Sequence, residues 1–178
     1  YIGGEFIGNV NAPKILQLSI SLSVGVMVSL EMDVKTYIEK IDTLEKTDHR
    51  QTIIQGTMGQ TIIDNSFNSN PVSCISSLEV LDEIETEGKK YLITPGMVEL
   101  GPEQFSYNYE FAHIASEVID EALIVGFTNK GPLMLAFDEN KIPVKYFKNR
   151  DLAVSYLNSV VKDNDVVLFE NDLPDHHP

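Results

Sequence analysis

The sequence predicts an α/β fold: a Rossmann-like three-layer domain with a mostly parallel sheet of about six strands, one of them an antiparallel hairpin strand, preceded by two helices. Three observations carry this. From Pro71 onward, single helical stretches alternate with short apolar runs. Strands separated by one helix imply right-handed crossovers and a parallel sheet. Before them, Gln51–Gln55 and Gln60–Asn65 are β-type runs joined by Gly56-Thr57-Met58-Gly59, and two glycines in so short a connection favour a hairpin. The first 45 residues hold helical patterns with no strand between them, so they do not belong to the α/β layers.

In order, Asn11 can cap a first helix with Pro13 in its opening turn, running to about Leu30. Its apolar stretch, Ile15–Leu30, is broken by Gln17 and four serines and is shorter than the roughly 18 apolar residues of a membrane span, so it reads as a buried or partner-covered helix. Asp33 can cap a second, amphipathic helix with Val34, Tyr37, Ile38, Ile41 and Leu44 on one face. Glu45–Asp48 is a polar linker, which sets the expected boundary between units 1–46 and 47–178.

Beyond the hairpin, the helix Pro71 to about Ile84 carries Val72, Ile75, Leu78 and Leu81 at three-residue spacing. Strand Tyr91–Thr94, a helix from Pro102 to about Ile119, strand Ala122–Gly126, a helix Lys130–Phe137, strand Pro143–Phe147, a helix Arg150–Val161 and strand Asp165–Phe169 complete the order. The strands are apolar runs, as expected where helices cover both sheet faces.

Composition narrows the function. The 178 residues hold 13 Lys plus Arg against 27 Asp plus Glu, a formal net charge of −14. Such a chain repels phosphate backbones and anionic membranes, so neither nucleic acid nor membrane is an expected partner, while one small anionic ligand held by local donors remains compatible. The single cysteine, Cys74, excludes an internal disulfide and a multi-cysteine zinc site and suits the cytoplasm. Neither a signal-peptide pattern nor a metal-ligand cluster is recognised. The chain opens at Tyr1 rather than methionine, which reads as part of a longer protein.

In an open α/β sheet, ligands collect beyond the carboxyl ends of the strands. The richest such place is Ile62-Ile63-Asp64-Asn65-Ser66-Phe67-Asn68-Ser69-Asn70-Pro71, with a carboxylate, two hydroxyls and three amides leading into a helix whose free N–H groups can bind an anion. It reads either as a nucleotide or substrate loop or as a turn with Asn70 as N-cap and Pro71 at the first helical position. Thr94–Pro102 and Gly126–Gly131 are further rim loops, and Lys130 either reaches a phosphate or is simply solvated. His113 falls within a helix. Cys74 reads as a buried thiol. Glu85 and Glu87, and Glu117, Asp120 and Glu121, read as solvated helix ends. No G-x-x-x-x-G-K-[ST] and no G-x-G-x-x-G after a strand occur, so the chain lacks both a P-loop and a dinucleotide fingerprint.

At the Asn-rich loop the sequence resembles a known family. Ile62–Pro71 is similar to the IDDSYNANP signature that opens the C-terminal domain of the Mur ligases, nearest to the branch that joins D-alanyl-D-alanine to a UDP-muramyl tripeptide. Ser76–Leu81 resembles the helix that follows, Thr94–Gly101 the LGDMLELG segment, and Asp163–Leu168 the final GDVVLVKGS strand. Arg50 stands where the family has an arginine just before the domain, and His113 where histidine is common. The resemblance covers about Arg50–Phe169, and the first 46 residues look more loosely like the helical end of the family's central ATPase domain.

The resemblance implies a lid domain of an ATP-dependent amide ligase of cell-wall precursor synthesis, with ATP and Mg2+ in the full-length parent and a P-loop supplied by the central domain. A carboxylate is activated there as an acyl phosphate and attacked by an amine. It further implies nucleotide contacts from Arg50, Asp64, Asn65 and Asn68, and contacts to an amino-acid or dipeptide substrate from Ser66, Asn70, Glu99 and His113. A chain without a P-loop should neither hydrolyse ATP nor form a bond by itself. Two departures stand out: Gly96 replaces the aspartate of LGDMLELG, and Glu170–Pro174 replaces KGS, removing a lysine that could meet substrate or phosphate. They leave a rival reading open, a binding or interaction module that retains the fold without catalysis.

Overall fold

The computed structural model describes residues 8, 14–41, 51–67 and 69–171. The chain divides into two units, Tyr1–Lys46 and Thr47–Pro178. The first contains α1 (Lys14–Ser29) and α2 (Val34–Ile41). Asp33 caps α2: its Oδ1 accepts the backbone N–H groups of Lys35 and Thr36 at 3.1 and 3.3 Å. Val34 and Ile41 are buried, and Tyr37 and Ile38 half-buried, on the expected face. In α1 the serines return their hydroxyls to the helix, Ser21, Ser23 and Ser29 each donating to the carbonyl four residues earlier at 2.7–2.9 Å. Asn11, Pro13 and Leu44 lie outside the described residues. Among the described residues no helix is long and apolar enough to cross a membrane.

The second unit is built from β1 (Thr52–Gln55), β2 (Thr61–Asn65), α3 (Pro71–Glu83), β3 (Lys90–Thr94), α4 (Gln104–Ala115), β4 (Glu121–Val125), α5 (Lys130–Glu139), β5 (Val144–Phe147), α6 (Arg150–Val160) and β6 (Val166–Glu170). The strands form one six-stranded sheet in the order β1-β2-β6-β3-β4-β5. β1 is antiparallel to β2 at one edge and every other pair is parallel. The last crossover returns three positions to insert β6 between β2 and β3.

The period of two along the strands separates two cores. Ile63, Leu92, Ala122, Ile124, Val166 and Leu168 face one layer with Leu78 and Leu81 of α3, Phe111 and Ala115 of α4, and Leu133 and Phe137 of α5. The intervening residues Tyr91, Ile93, Leu123 and Val167 face Ala153 and Leu157 of α6. This is the expected three-layer arrangement.

Some local expectations are corrected. Val72 does not share the buried face of α3 and is 77% exposed. A spacing of three turns back by about 60° at each step, so residues 72 and 81 point to opposite sides. The buried face is Cys74, Ser77, Leu78 and Leu81. The helix expected over 102–119 opens with a 3-10 turn, Gly101–Glu103, and its α-helical part ends at Ala115. Glu121 is not a solvated helix end. It begins β4, is buried, and accepts the Tyr156 hydroxyl at 2.7 Å. Burial, and then this bond to Glu121, push the Tyr156 hydroxyl up to about 12.

Gly96 has a packing reason. Its φ is +78°, a left-handed conformation that glycine adopts without a Cβ penalty. A Cβ there would overlap Asn108 Oδ1 and come within 2.9 Å of Asn129 Cβ. The space that a side chain would need at this position is filled by two amides. Gly96→Ala is therefore expected to destabilise the domain by about 2 kcal/mol, read as a shift of the urea midpoint at constant m-value.

Candidate functional site at the carboxyl rim of the sheet

The parallel strands deliver five chain segments to one rim: residues 66, 67, 69 and 70 after β2, 95–100 after β3, 126–129 after β4, 148–149 after β5 and Asn171 after β6. β2 ends in two residues that point to opposite faces. Asp64 is half-buried, and its Oδ1 accepts the Ser66 backbone N–H at 3.1 Å and the Ser66 hydroxyl at 2.6 Å. This local turn holds a carboxylate and a hydroxyl together at the mouth of the rim.

Asn65 turns inward instead. It pairs in register with Glu170 of the neighbouring β6, and its Nδ2 donates to both carboxylate oxygens at 3.0 and 2.9 Å. The same carboxylate accepts the Ser69 hydroxyl from the loop and the Ser77 hydroxyl from α3. The Cys74 thiol donates to it at 3.2 Å. Glu170 is completely buried, and no cation is among these partners. Burial pushes its pKa up, against the opposing pull of the bonds from Ser69, Ser77, Asn65 and Cys74. The Cys74 thiol is pushed up as well, by its own burial first and then by the nearby Glu170 charge. It is a structural thiol rather than a nucleophile.

The loop after β3 is held by amides. Asn108 of α4 receives the Met97 N–H at 2.7 Å and donates to the Met97 and Gln104 carbonyls at 2.9 and 2.8 Å. Asn129 donates to the Pro95 and Met97 carbonyls at 3.0 and 2.9 Å. Asn171, immediately after Glu170, donates its side chain to the Gly96 carbonyl at 2.7 Å and its backbone N–H to the Asn65 carbonyl at 3.1 Å. The pair Glu170-Asn171 thus ties the loops after β2 and β3 to the end of the strand between them.

The residues expected at the site separate on this geometry. Asp64 and Ser66 stand at the rim, and exposed Glu99 lies in the loop after β3. Asn65 is buried against Glu170, which makes it a support of the rim. Asn70 is the N-cap of α3, its Oδ1 accepting the Val72 and Ser73 N–H groups at 3.0 Å each in a capping box with Ser73. His113 sits in the last turn of α4, towards the amino ends of the strands, stacked on Tyr109 and bonded through Nδ1 to Asn140 at 2.9 Å. It is not brought to the rim. Lys130 lies over the Tyr146 ring, 4.1 Å from its centre. Arg50 and Asn68 lie outside the described residues. Among the described residues no cluster of three or more His, Cys, Asp or Glu could hold a metal ion.

Sequence reading missed Glu170, Ser69, Asn108, Asn129 and Asn171. The only local signal for Glu170 was an acid directly abutting the apolar run Val166–Phe169.

The chain is thus a three-layer α/β domain with an Asn-rich loop at its carboxyl rim and a hairpin strand at its edge. Residues 49–170 match the model of the Mur ligase glutamate ligase domain, and the chain belongs to that family. It is 27% identical over 132 residues to the UDP-N-acetylmuramoyl-tripeptide–D-alanyl-D-alanine ligase of Bacillus subtilis, a match spanning 71% of this chain and 28% of that enzyme. Among solved structures it is similar to the Thermotoga maritima MurF ligase in complex with ADP, with 24% identity, a TM-score of 0.63, and coverage of 87% of this chain and 34% of the other. An Acinetobacter baumannii MurF matches with 16% identity, a TM-score of 0.72, and coverage of 90% and 35%. The chain therefore spans about a third of the length of these relatives.

The buried acid makes a pH prediction. Because the folded pKa of Glu170 lies above its ordinary value of 4.5, the folded state holds the proton more tightly than the unfolded chain. The stability this contributes is complete below 4.5 and is lost as pH rises through the folded value. Urea midpoints measured from acid to mildly alkaline pH should fall over that window in the native chain, and the fall should flatten in Glu170→Gln.

Proposed function

We propose that this chain supplies the nucleotide- and substrate-facing C-terminal domain of an ATP-dependent amide ligase of the MurF type, acting in peptidoglycan precursor synthesis in the cytoplasm. The observation that carries this is the rim itself: Asp64 and Ser66 are held together at the end of β2, in a stretch that resembles the family's signature, within a domain that matches the family model. A half-buried carboxylate suits the vicinal hydroxyls of a ribose, which it accepts as charge-assisted hydrogen bonds. Arg50 would approach phosphate, for which a guanidinium fork is suited, with Asn68 beside the nucleotide and Ser66 and Glu99 towards the amino-acid or dipeptide acceptor. Asn65 and Asn70 act by holding the loop, and His113 has no direct role. ATP with Mg2+ supplies the activation of a carboxylate as an acyl phosphate, and a domain closing over that intermediate keeps water from it. The P-loop and the metal ligands would come from a central domain.

The departures at Gly96 and Glu170 favour a second reading, a non-catalytic binding module, since a buried carboxylate cannot do the work of an exposed lysine. One screen decides between them. The full-length protein should form an amide bond with ATP and an amino acid or dipeptide, releasing ADP, and Asp64→Ala should raise its KM for ATP about tenfold or more. Nucleotide binding without any ligation product across the screen would select the module instead. An unchanged KM in Asp64→Ala would remove Asp64 from the site. Titration of the 178-residue chain itself should show weak ADP binding, because most phosphate contacts lie elsewhere.

A further inference from the structure

Of the two rim groups assigned to the ligand, Ser66 lies between two anchors that lead to the same carboxylate, and Asp64 immediately precedes the first of them. Asp64 is followed by Asn65, whose amide donates to both oxygens of Glu170 at 3.0 and 2.9 Å. Ser66 is followed, three residues on, by Ser69, whose hydroxyl donates to Glu170 Oε1. Both anchors are buried. The short segment between them carries Ser66, whose hydroxyl donates back to Asp64, and exposed Phe67.

The other two donors to this carboxylate, Cys74 and Ser77, come from α3; Cys74 also bonds to Ser69 and, through its backbone N–H, to the Asn70 carbonyl, whereas the Ser77 hydroxyl bonds to Glu170 and to the Cys74 carbonyl. Oε1 therefore takes the loop hydroxyl of Ser69 together with the Cys74 thiol, while Oε2 takes the helix hydroxyl of Ser77. The position of the carboxylate is set by β6, held between β2 and β3 in parallel register. Asn171 extends the tie to the loop after β3 through the Gly96 carbonyl.

From this geometry we infer that Glu170 is a positioning residue for ligand binding: it holds Asn65 and Ser69, on either side of Ser66, and so sets the placement of Ser66 against Asp64. The inference rests on the nucleotide reading above for its ligand, but the clamp is a property of this chain alone. A completely buried carboxylate cannot itself meet a ligand, so its effect passes through Asn65 and Ser69. A hydrogen bond to a buried carboxyl group in a low-dielectric interior is among the stronger constraints on a short loop. The two oxygens of the carboxylate then separate positioning from mere stability. Loss of the Ser69 donor frees the loop. Loss of the Ser77 donor removes a comparable bond while leaving the loop anchored.

The test uses the 178-residue chain, ADP as the probe, and three proteins: native, Ser69→Ala and Ser77→Ala. Two quantities are read, the ADP dissociation constant from amide chemical-shift titration and the hydrogen-exchange protection of residues 66–70. Ser69→Ala should weaken ADP binding roughly tenfold and strip protection from 66–70 while the sheet stays protected. Ser77→Ala should lower the unfolding midpoint but leave the dissociation constant within about twofold and the loop protected. Equal weakening by both variants, or an unmoved loop in Ser69→Ala, overturns the positioning role. If the native chain binds no ADP, the nucleotide reading fails for this chain, and the exchange comparison still decides whether the clamp exists. Should Ser69→Ala fail to fold, Ser69→Thr, which keeps the hydroxyl, should restore native loop protection, and failure to do so counts against the clamp.

Discussion

A carboxylate removed from water at the end of a central strand must be met by donors from its surroundings, and at Glu170 it is met by three structural elements at once. Asn65 comes from β2, Ser69 from the following loop, and Cys74 and Ser77 from α3. Truncating such a group leaves several buried donors unsatisfied, a loss larger than that of any single bond. The sheet order is what makes the arrangement possible. Only because the last crossover returns β6 to lie between β2 and β3 does an acid near the end of the described chain face residues about a hundred positions earlier.

The loop after β3 repeats the principle with neutral groups. Asn108, Asn129 and Asn171 converge on the backbone of Pro95, Gly96 and Met97. Glycine at 96 is the complement of those amides, since they occupy the volume a side chain would need. The two departures from the family pattern are thus accommodated by well-satisfied interiors. Neither breaks the fold, and both sit within internal packing.

The order of helices and strands was legible because each strand is a short apolar run set off from a helix by a polar or glycine-containing turn, and because the hairpin glycines mark the one antiparallel pair. The face of α3 was not, because a three-residue spacing drifts around a helix and Val72 falls off the stripe. The candidate site was half legible. The Asn-rich loop stood out by composition, and the cap reading of Asn70 was already available from Asn-Pro chemistry. Composition cannot say which of three amides faces a ligand and which faces the core. Asn65 differs from Asp64 by one position in a strand, and that single step reverses the face. Glu170 stood out only as an acid abutting an apolar run where the family pattern has KGS, and its partners and those of Asn171 are fixed by strand order rather than by neighbours in sequence. The family resemblance supplied what spacing could not, the expectation of a nucleotide at this rim.

The central claim is that one buried acid and the loop carrying Asp64 and Ser66 behave as a single unit, and the most direct measurement is a pH titration followed at both. The side-chain carboxyl carbon of Glu170 should titrate with a midpoint above the ordinary 4.5, and the amides of residues 66–70 should shift with that same midpoint. A Glu170 midpoint at the ordinary value, with loop amides that do not follow it, would contradict the account.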